Sequence, residues 1–92
     1  MIKITSPLDL GIVLRESRTA SHIPAADMAA LADTTSVSLR RLEQGRPTKA
    51  IATLFTILDE LGLELYVSTP PSIGPIKISP EQKKPRRTRV TP

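Results

Sequence analysis

The stretch whose reading decides the fold is Pro24 to Gly45, PAADMAALADTTSVSLRRLEQG. Met28, Leu31 and Ala32 are spaced i, i+3, i+4 and predict one apolar stripe on a short helix. Asp33-Thr34-Thr35 interrupts that pattern. Asp tolerates a left-handed turn better than most residues with a Cβ. Thr35 is a natural cap for a new helix, because its hydroxyl can accept from orphan backbone N–H groups. In that second helix Leu39 and Leu42 point one way, and Val37, Arg40, Arg41 and Gln44 point roughly the other. Gly45 stands where a helix-ending glycine belongs. Two short helices around a three-residue turn, the second with two arginines outward, make a helix-turn-helix able to enter a DNA major groove.

Upstream, Ser6-Pro7-Leu8-Asp9 predicts a helix start, with Ser6 as cap, Pro7 at the first helical position and Asp9 in the first turn. Leu10, Val13, Leu14 and Ser17 are the expected buried stripe of this helix, which should end near Arg18. MIKIT at the N-terminus alternates briefly and is either a short strand or a frayed end. His22 is expected to be a solvated loop residue. Downstream, Arg46-Pro47-Thr48-Lys49 is an extended turn, and a helix begins at Thr48 or Lys49. Ile51, Leu54, Phe55, Leu58 and Leu61 give that helix an apolar stripe, and Gly62 ends it. Leu63 to Ser68 alternates strictly and predicts a strand with Leu63, Leu65 and Val67 on one face. A lone strand needs a partner, either MIKIT of the same chain or the same strand of a second subunit. The second choice gives a two-fold dimer joined through Leu63, Leu65, Tyr66 and Val67.

The chain has 92 residues and a net charge of +4, which allow one small domain and favour an acidic partner. Residues 1–69 carry seven basic and eight acidic side chains, whereas residues 70–92 carry six basic ones against Glu81. The predicted folded part, residues 1–69, is therefore not a generally basic body. Its positive charge gathers at and just after the second helix of the motif. Six of the nine prolines fall in residues 70–92, which are expected to be a disordered basic tail. Only Ile73, Ile76 and Ile78 offer packing there. The absence of cysteine removes disulfides and thiolate zinc sites, and a single histidine makes a histidine-based metal site unexpected. No apolar run approaches the roughly 20 residues of a membrane span, and MIKITSPLDL has no signal-peptide layout, so a cytoplasmic protein is expected. With no Gly-rich phosphate loop and scattered carboxylates, no catalytic residue is assigned and an enzyme is the least expected class.

Leu10-Gly11…Leu14-Arg15…Arg18 follows the pattern LGxxLRxxR, and with the 24–45 stretch it resembles the Xre/lambda-repressor-like helix-turn-helix family. The continuation TLFTILDELGLELYVS, Thr53 to Ser68, resembles HipB-like antitoxins, the DNA-binding partners of HipA-type kinase toxins. The likeness covers about residues 6–68. It implies a mainly α domain of four to five helices plus one C-terminal β-strand for dimerisation. It also implies an autoregulating repressor that binds operator DNA as a homodimer without a cofactor. Its further partner would be a HipA-like kinase toxin, alone or with a small third protein. The family's polar residue at the start of its second helix, its Ser or Thr cap and its turn glycine are replaced by Ala25, Pro24 and Asp33. That moves DNA affinity toward the arginines and the tail.

Within this likeness Arg41 lies where the family often reads a base, with Ser36 and Val37 at the groove-facing end of the helix. Arg40 reaches a base or a phosphate; Ser38, Arg46, Thr48 and Lys49 are phosphate-contact candidates. Arg18 and Glu43 match an internal ion pair linking the first helix to the recognition helix, a structural role. Three readings of Lys83 to Arg89, KKPRRTR, stay open: a solubilising tail, an arm along DNA, or a docking peptide for a partner protein. A stand-alone repressor is the alternative to the antitoxin. A basic RNA- or membrane-surface binder is disfavoured by one Tyr, one Phe and the acidic outer residues Asp59 and Glu60.

Overall fold

The computed structural model describes residues 1–78. The elements in chain order are β1 (Ile2–Ile4), α1 (Pro7–Ala20), α2 (Ala25–Leu31), α3 (Ser36–Glu43), α4 (Lys49–Leu61) and β2 (Leu65–Val67). The fold is mainly helical, with four helices and one short antiparallel sheet among the described residues.

Local chemistry starts and stops these helices. Ser6 caps α1 by accepting from the Asp9 N–H at 3.2 Å, and the Asp9 carboxylate accepts from the Thr5 N–H at 2.8 Å and from its hydroxyl. Two backbone N–H donors and one hydroxyl at the entry to α1 are thus satisfied by one box of side chains. Thr35 caps α3, as the sequence suggests, and Thr48 caps α4 from the residue before its start. At the other end, all four helices stop in the same way. His22, Asp33, Gly45 and Gly62 each take positive φ, between 56° and 78°. In each case the next residue's N–H donates back across the terminus: Ile23 to Arg18 O, Thr34 to Ala29 O, Arg46 to Arg41 O, and Leu63 to Leu58 O, at 2.9–3.1 Å. This closure satisfies carbonyls that a helix end leaves bare. His22 is exposed, as expected, and it also serves as one of these terminators.

The central contact is between α1 and α3. A Cβ built on Gly11 would collide with the backbone carbonyl oxygen of Leu42 and would lie 2.7 Å from that of Glu43. Only a residue without a side chain lets the two backbones approach so closely. Gly45 is seated the same way, since a Cβ there would lie 2.7 Å from Leu8 Cα. Beside this contact Arg18 Nε–H and Nη2–H donate to Glu43 Oε2 and Oε1 at 2.7 and 3.0 Å. Its Nη1–H donates to the carbonyl of Ile23 at 3.0 Å. The two side chains retain 15% and 7% of their exposure. Hydrogen bonding to Glu43 holds the Arg18 guanidinium above its already high ordinary pKa, so it stays charged. One side chain therefore ties α1, the link into α2, and the end of α3.

Ile4, Val13 and Phe55 form the core cluster, with Leu10, Ile51 and Leu58 packed around it from α1 and α4. β1 closes on β2 in the register Ile2↔Val67, Lys3↔Tyr66, Ile4↔Leu65. The isoleucines, Leu65 and Val67 turn to the core, leaving Lys3 and Tyr66 outward. Outside the sheet Lys3 Nζ lies 3.3 Å from Glu64 Oε2, and the Tyr66 hydroxyl donates to Glu64 Oε1 at 3.2 Å.

Several expectations are corrected by this packing. The strand is shorter than Leu63–Ser68, and it pairs with MIKIT of its own chain, so it does not require a second subunit to be paired. Leu65 and Val67 are engaged by the chain's own core, while Leu63 lies before the strand and is exposed. Helix α1 runs to Ala20, two residues past the expected end near Arg18. It buries Ile12 in place of Leu14, because it packs on two sides, toward the core cluster and toward α3. Helix α2 turns Ala25, Met28 and Ala29 inward, and Leu31, displaced by about 100° from that stripe, is 76% exposed. Leu54 and Leu61 of α4 are exposed as well. Residues 70–78 are not simply tail. Thr69 Oγ1 donates to Gly74 O at 2.8 Å, the N–H groups of Ile73 and Gly74 donate to Pro70 O, and Ile76 and Ile78 pack on the core cluster. The run Lys83 to Arg89 lies outside the described residues.

Arg18→Ala should lower the Tm by on the order of 10 °C or more, because it leaves a buried carboxylate and a carbonyl unserved. A thermal melt at unchanged Tm would contradict the clasp. Asp33→Gly should raise the Tm by a few degrees by relieving a left-handed residue, provided no contact of the carboxylate offsets it. For Glu64, the hydrogen bond from Lys3 and then that from Tyr66 hold its carboxyl below the ordinary value of 4.5. A depressed folded pKa contributes stability above the unfolded value, and this is lost as pH falls through the folded one. An NMR titration should place the Glu64 midpoint below 4.5, and Lys3→Ala should move it back up.

Candidate functional site

Helix α3 has two opposed sides. Leu39 is buried, Leu42 is half-buried and Glu43 is held by Arg18, so that side belongs to the body. Val37, Arg40, Arg41 and Gln44, spaced i, i+3, i+4, i+7, are all exposed on the other. The sequence predicted this division, and the inward side obeys it because the α1–α3 contact leaves no freedom to rotate the helix. Gln44 is the one member of the outward stripe that the site assignment from sequence left out. Its spacing from Arg41 and Val37 was the available signal.

At the N-terminal end Thr35 Oγ1 accepts from the Ser38 N–H at 3.0 Å and donates to Ser38 Oγ at 3.1 Å. Ser38 is thereby tied to the cap, with its own hydroxyl proton still available to an outside acceptor. Ser36, half-buried, starts the helix, and its N–H and that of Val37 lie in the first turn, where the helix dipole favours an anion. Beyond α3, Gly45 braces the chain against Leu8, and Arg46 and Lys49 are both exposed on either side of Pro47. Thr48 accepts from the Ile51 N–H at 3.4 Å, so its oxygen is engaged in starting α4. Among the sequence-predicted contact residues, Thr48 and Ser38 thus have structural duties of their own.

The charge of this surface is uncompensated at its centre. Among the described residues the ion pairs are Lys3–Glu64 and Arg18–Glu43, and neither uses Arg40, Arg41, Arg46 or Lys49. Asp27 and Asp33 are exposed on α2 and the turn before α3, so the cationic side chains of this surface are those of α3 and the segment after it. Among the described residues no group of His, Cys, Asp and Glu is placed to hold a metal ion, and no helix is long and apolar enough to cross a membrane. Comparison with known protein families, with characterised proteins and with solved structures yields no match.

Thr35→Ala removes the cap of α3 and should cost about 1 kcal/mol. Chemical denaturation of the variant is the check. Amide exchange at Ser38 should speed up in the same variant.

Proposed function

We propose that this chain is a sequence-specific DNA-binding repressor of the helix-turn-helix type, with α2 and α3 as its two helices and α3 in the major groove. The observation that carries the reading is the outward stripe Val37, Arg40, Arg41, Gln44. It presents two guanidinium groups without ion-pair partners among the described residues, on a helix whose other side is locked to α1. Arg41 pairs bidentately with a guanine, Gln44 with an adenine, and Val37 presses on a thymine methyl. The N–H groups at the start of α3, with Ser36 and Ser38, meet one phosphate, and Arg46 and Lys49 meet others. Arg40 serves either a base or the backbone. The protein acts as a homodimer, which places two such helices about one DNA turn apart.

The biological role that fits is an antitoxin that represses its own operon and binds a HipA-like kinase toxin, with or without a small third protein. That part of the proposal rests on the likeness of Thr53 to Ser68 to HipB-like chains. The second reading, a stand-alone repressor, is favoured by one feature of the fold. The strand within that likeness is already paired inside the chain, with Leu65 and Val67 in its own core.

Fluorescence anisotropy with duplexes tiling the region upstream of the coding sequence tests the DNA reading. Arg41→Ala should weaken binding to the best duplex by about 1–3 kcal/mol, roughly five- to 150-fold, and relax preference at one base pair. Lys49→Ala should weaken all duplexes alike and reduce the salt slope by about 1. An Arg41→Ala protein with wild-type affinity and base preference would overturn the reading. Co-purification of a kinase-like subunit from the native operon separates the antitoxin from the stand-alone repressor.

A further inference from the structure

Helix α4 carries more apolar surface than its own chain covers. Ile51, Phe55 and Leu58 face the core cluster. Leu54, Ile57 and Leu61 lie about 90° further round the helix and remain 44%, 48% and 66% exposed. The charged residues of α4, Lys49, Asp59 and Glu60, all fall outside this flank on the helical wheel, where the intervening position is Ala50. Three large apolar side chains in one row, free of charge, form a surface that water does not favour.

The described residues leave this row open. Residues 79–92 contain, apart from prolines, a single apolar side chain, Val90, among lysines and arginines. A membrane surface fits poorly, because interfacial helices flank their apolar face with basic residues and the charged residue nearest this row is Glu60. A second copy of the chain fits well. The row is nearly symmetric about Ile57, with Leu54 three residues before it and Leu61 four after. Set antiparallel across a two-fold axis, Leu54 of each copy meets Leu61 of the other, and Ile57 packs beside its own counterpart. An isologous interface requires such self-complementarity.

We infer that the homodimer is built by antiparallel packing of the Leu54–Ile57–Leu61 flank of α4 against the same flank of a second copy, rather than by the open edge of β2. The inference rests on the dimer in the reading above and is independent of its DNA contact. It therefore concerns the protein without DNA.

Sedimentation equilibrium of the full chain at about 100 µM, without DNA, is the test. The wild type should sediment at twice the chain mass. Ile57→Glu and Ile57→Lys should each weaken dimerisation by about a hundredfold or more, since each sets like charges against each other at the axis. Both should keep the wild-type circular dichroism spectrum, because Ile57 is outside the core cluster. Mixing the two variants should restore a dimer through opposite charges. A monomeric wild type would overturn the inference, as would a dimer that survives either single variant. A dimer lost on substituting Tyr66 but not Ile57 would assign the interface to the strand instead. None of these results bears on whether the arginines of α3 bind DNA, which the anisotropy series decides separately.

Discussion

The structure depends on the backbone contact of α1 with α3. Gly11 admits the carbonyls of Leu42 and Glu43 to a distance that any side chain would forbid. Gly45 repeats the device against Leu8, one turn before Gly11 on α1. The two glycines determine where α3 lies, and the Arg18–Glu43 pair determines how it is rotated. A carboxylate of α3 held by both oxygens in a guanidinium fork leaves the helix one orientation. The third arm of the fork, on Ile23 O, carries the constraint into the entry of α2. A domain of this size has little stability to spare. A pair that organises three segments at once therefore has influence beyond its own contact.

The proposed function draws on that rigidity. An exposed arginine on a mobile helix loses much of its side-chain and backbone entropy on binding a base, whereas one on a locked helix loses less. The capping threonine, the positive-φ terminators and the braced Gly45 serve the same end. They fix α3 by its ends, as the α1 contact fixes it by its side. The surface left over is a short apolar and cationic stripe, which the proposal sets against the floor and walls of a DNA groove.

Much of this was legible because it is local. Ser6 and Thr35 are capping residues by chemistry, Asp33, Gly45 and Gly62 are terminators by backbone preference, and the division of α3 follows from periodicity. What escaped depends on packing between elements. The pattern at Leu14 and Leu31 identifies apolar residues on helices but not which flank meets a neighbour. Ala29 is buried in preference to Leu31 because α2 presents the stripe of Ala25, Met28 and Ala29 to the body. The apolar arc of α4 is wide, and periodicity alone does not tell that Ile51, Phe55 and Leu58 use only part of it. The pairing of Ile2–Ile4 with Leu65–Val67 was one of two partners open to the strand, and nothing in either stretch chooses between them. Ile76 and Ile78 stood out among the prolines as able to pack, but the sequence did not say that the core would take them. The likeness to repressors and antitoxins extended the functional reading beyond what these residues carry by themselves, and it supplied the expectation of the Arg18–Glu43 pair.

The central claim is that the outward stripe of α3 is a DNA-reading surface. Its most direct test is a titration of isotopically labelled protein with duplex DNA from its own upstream region, followed by amide and arginine side-chain NMR. The account predicts shifts concentrated at Ser36–Arg41, Gln44, Arg46 and Lys49, growing with salt reduction and absent from the outer face of the β1–β2 sheet. Unshifted resonances along α3, with changes confined to another surface or none at all, would contradict it.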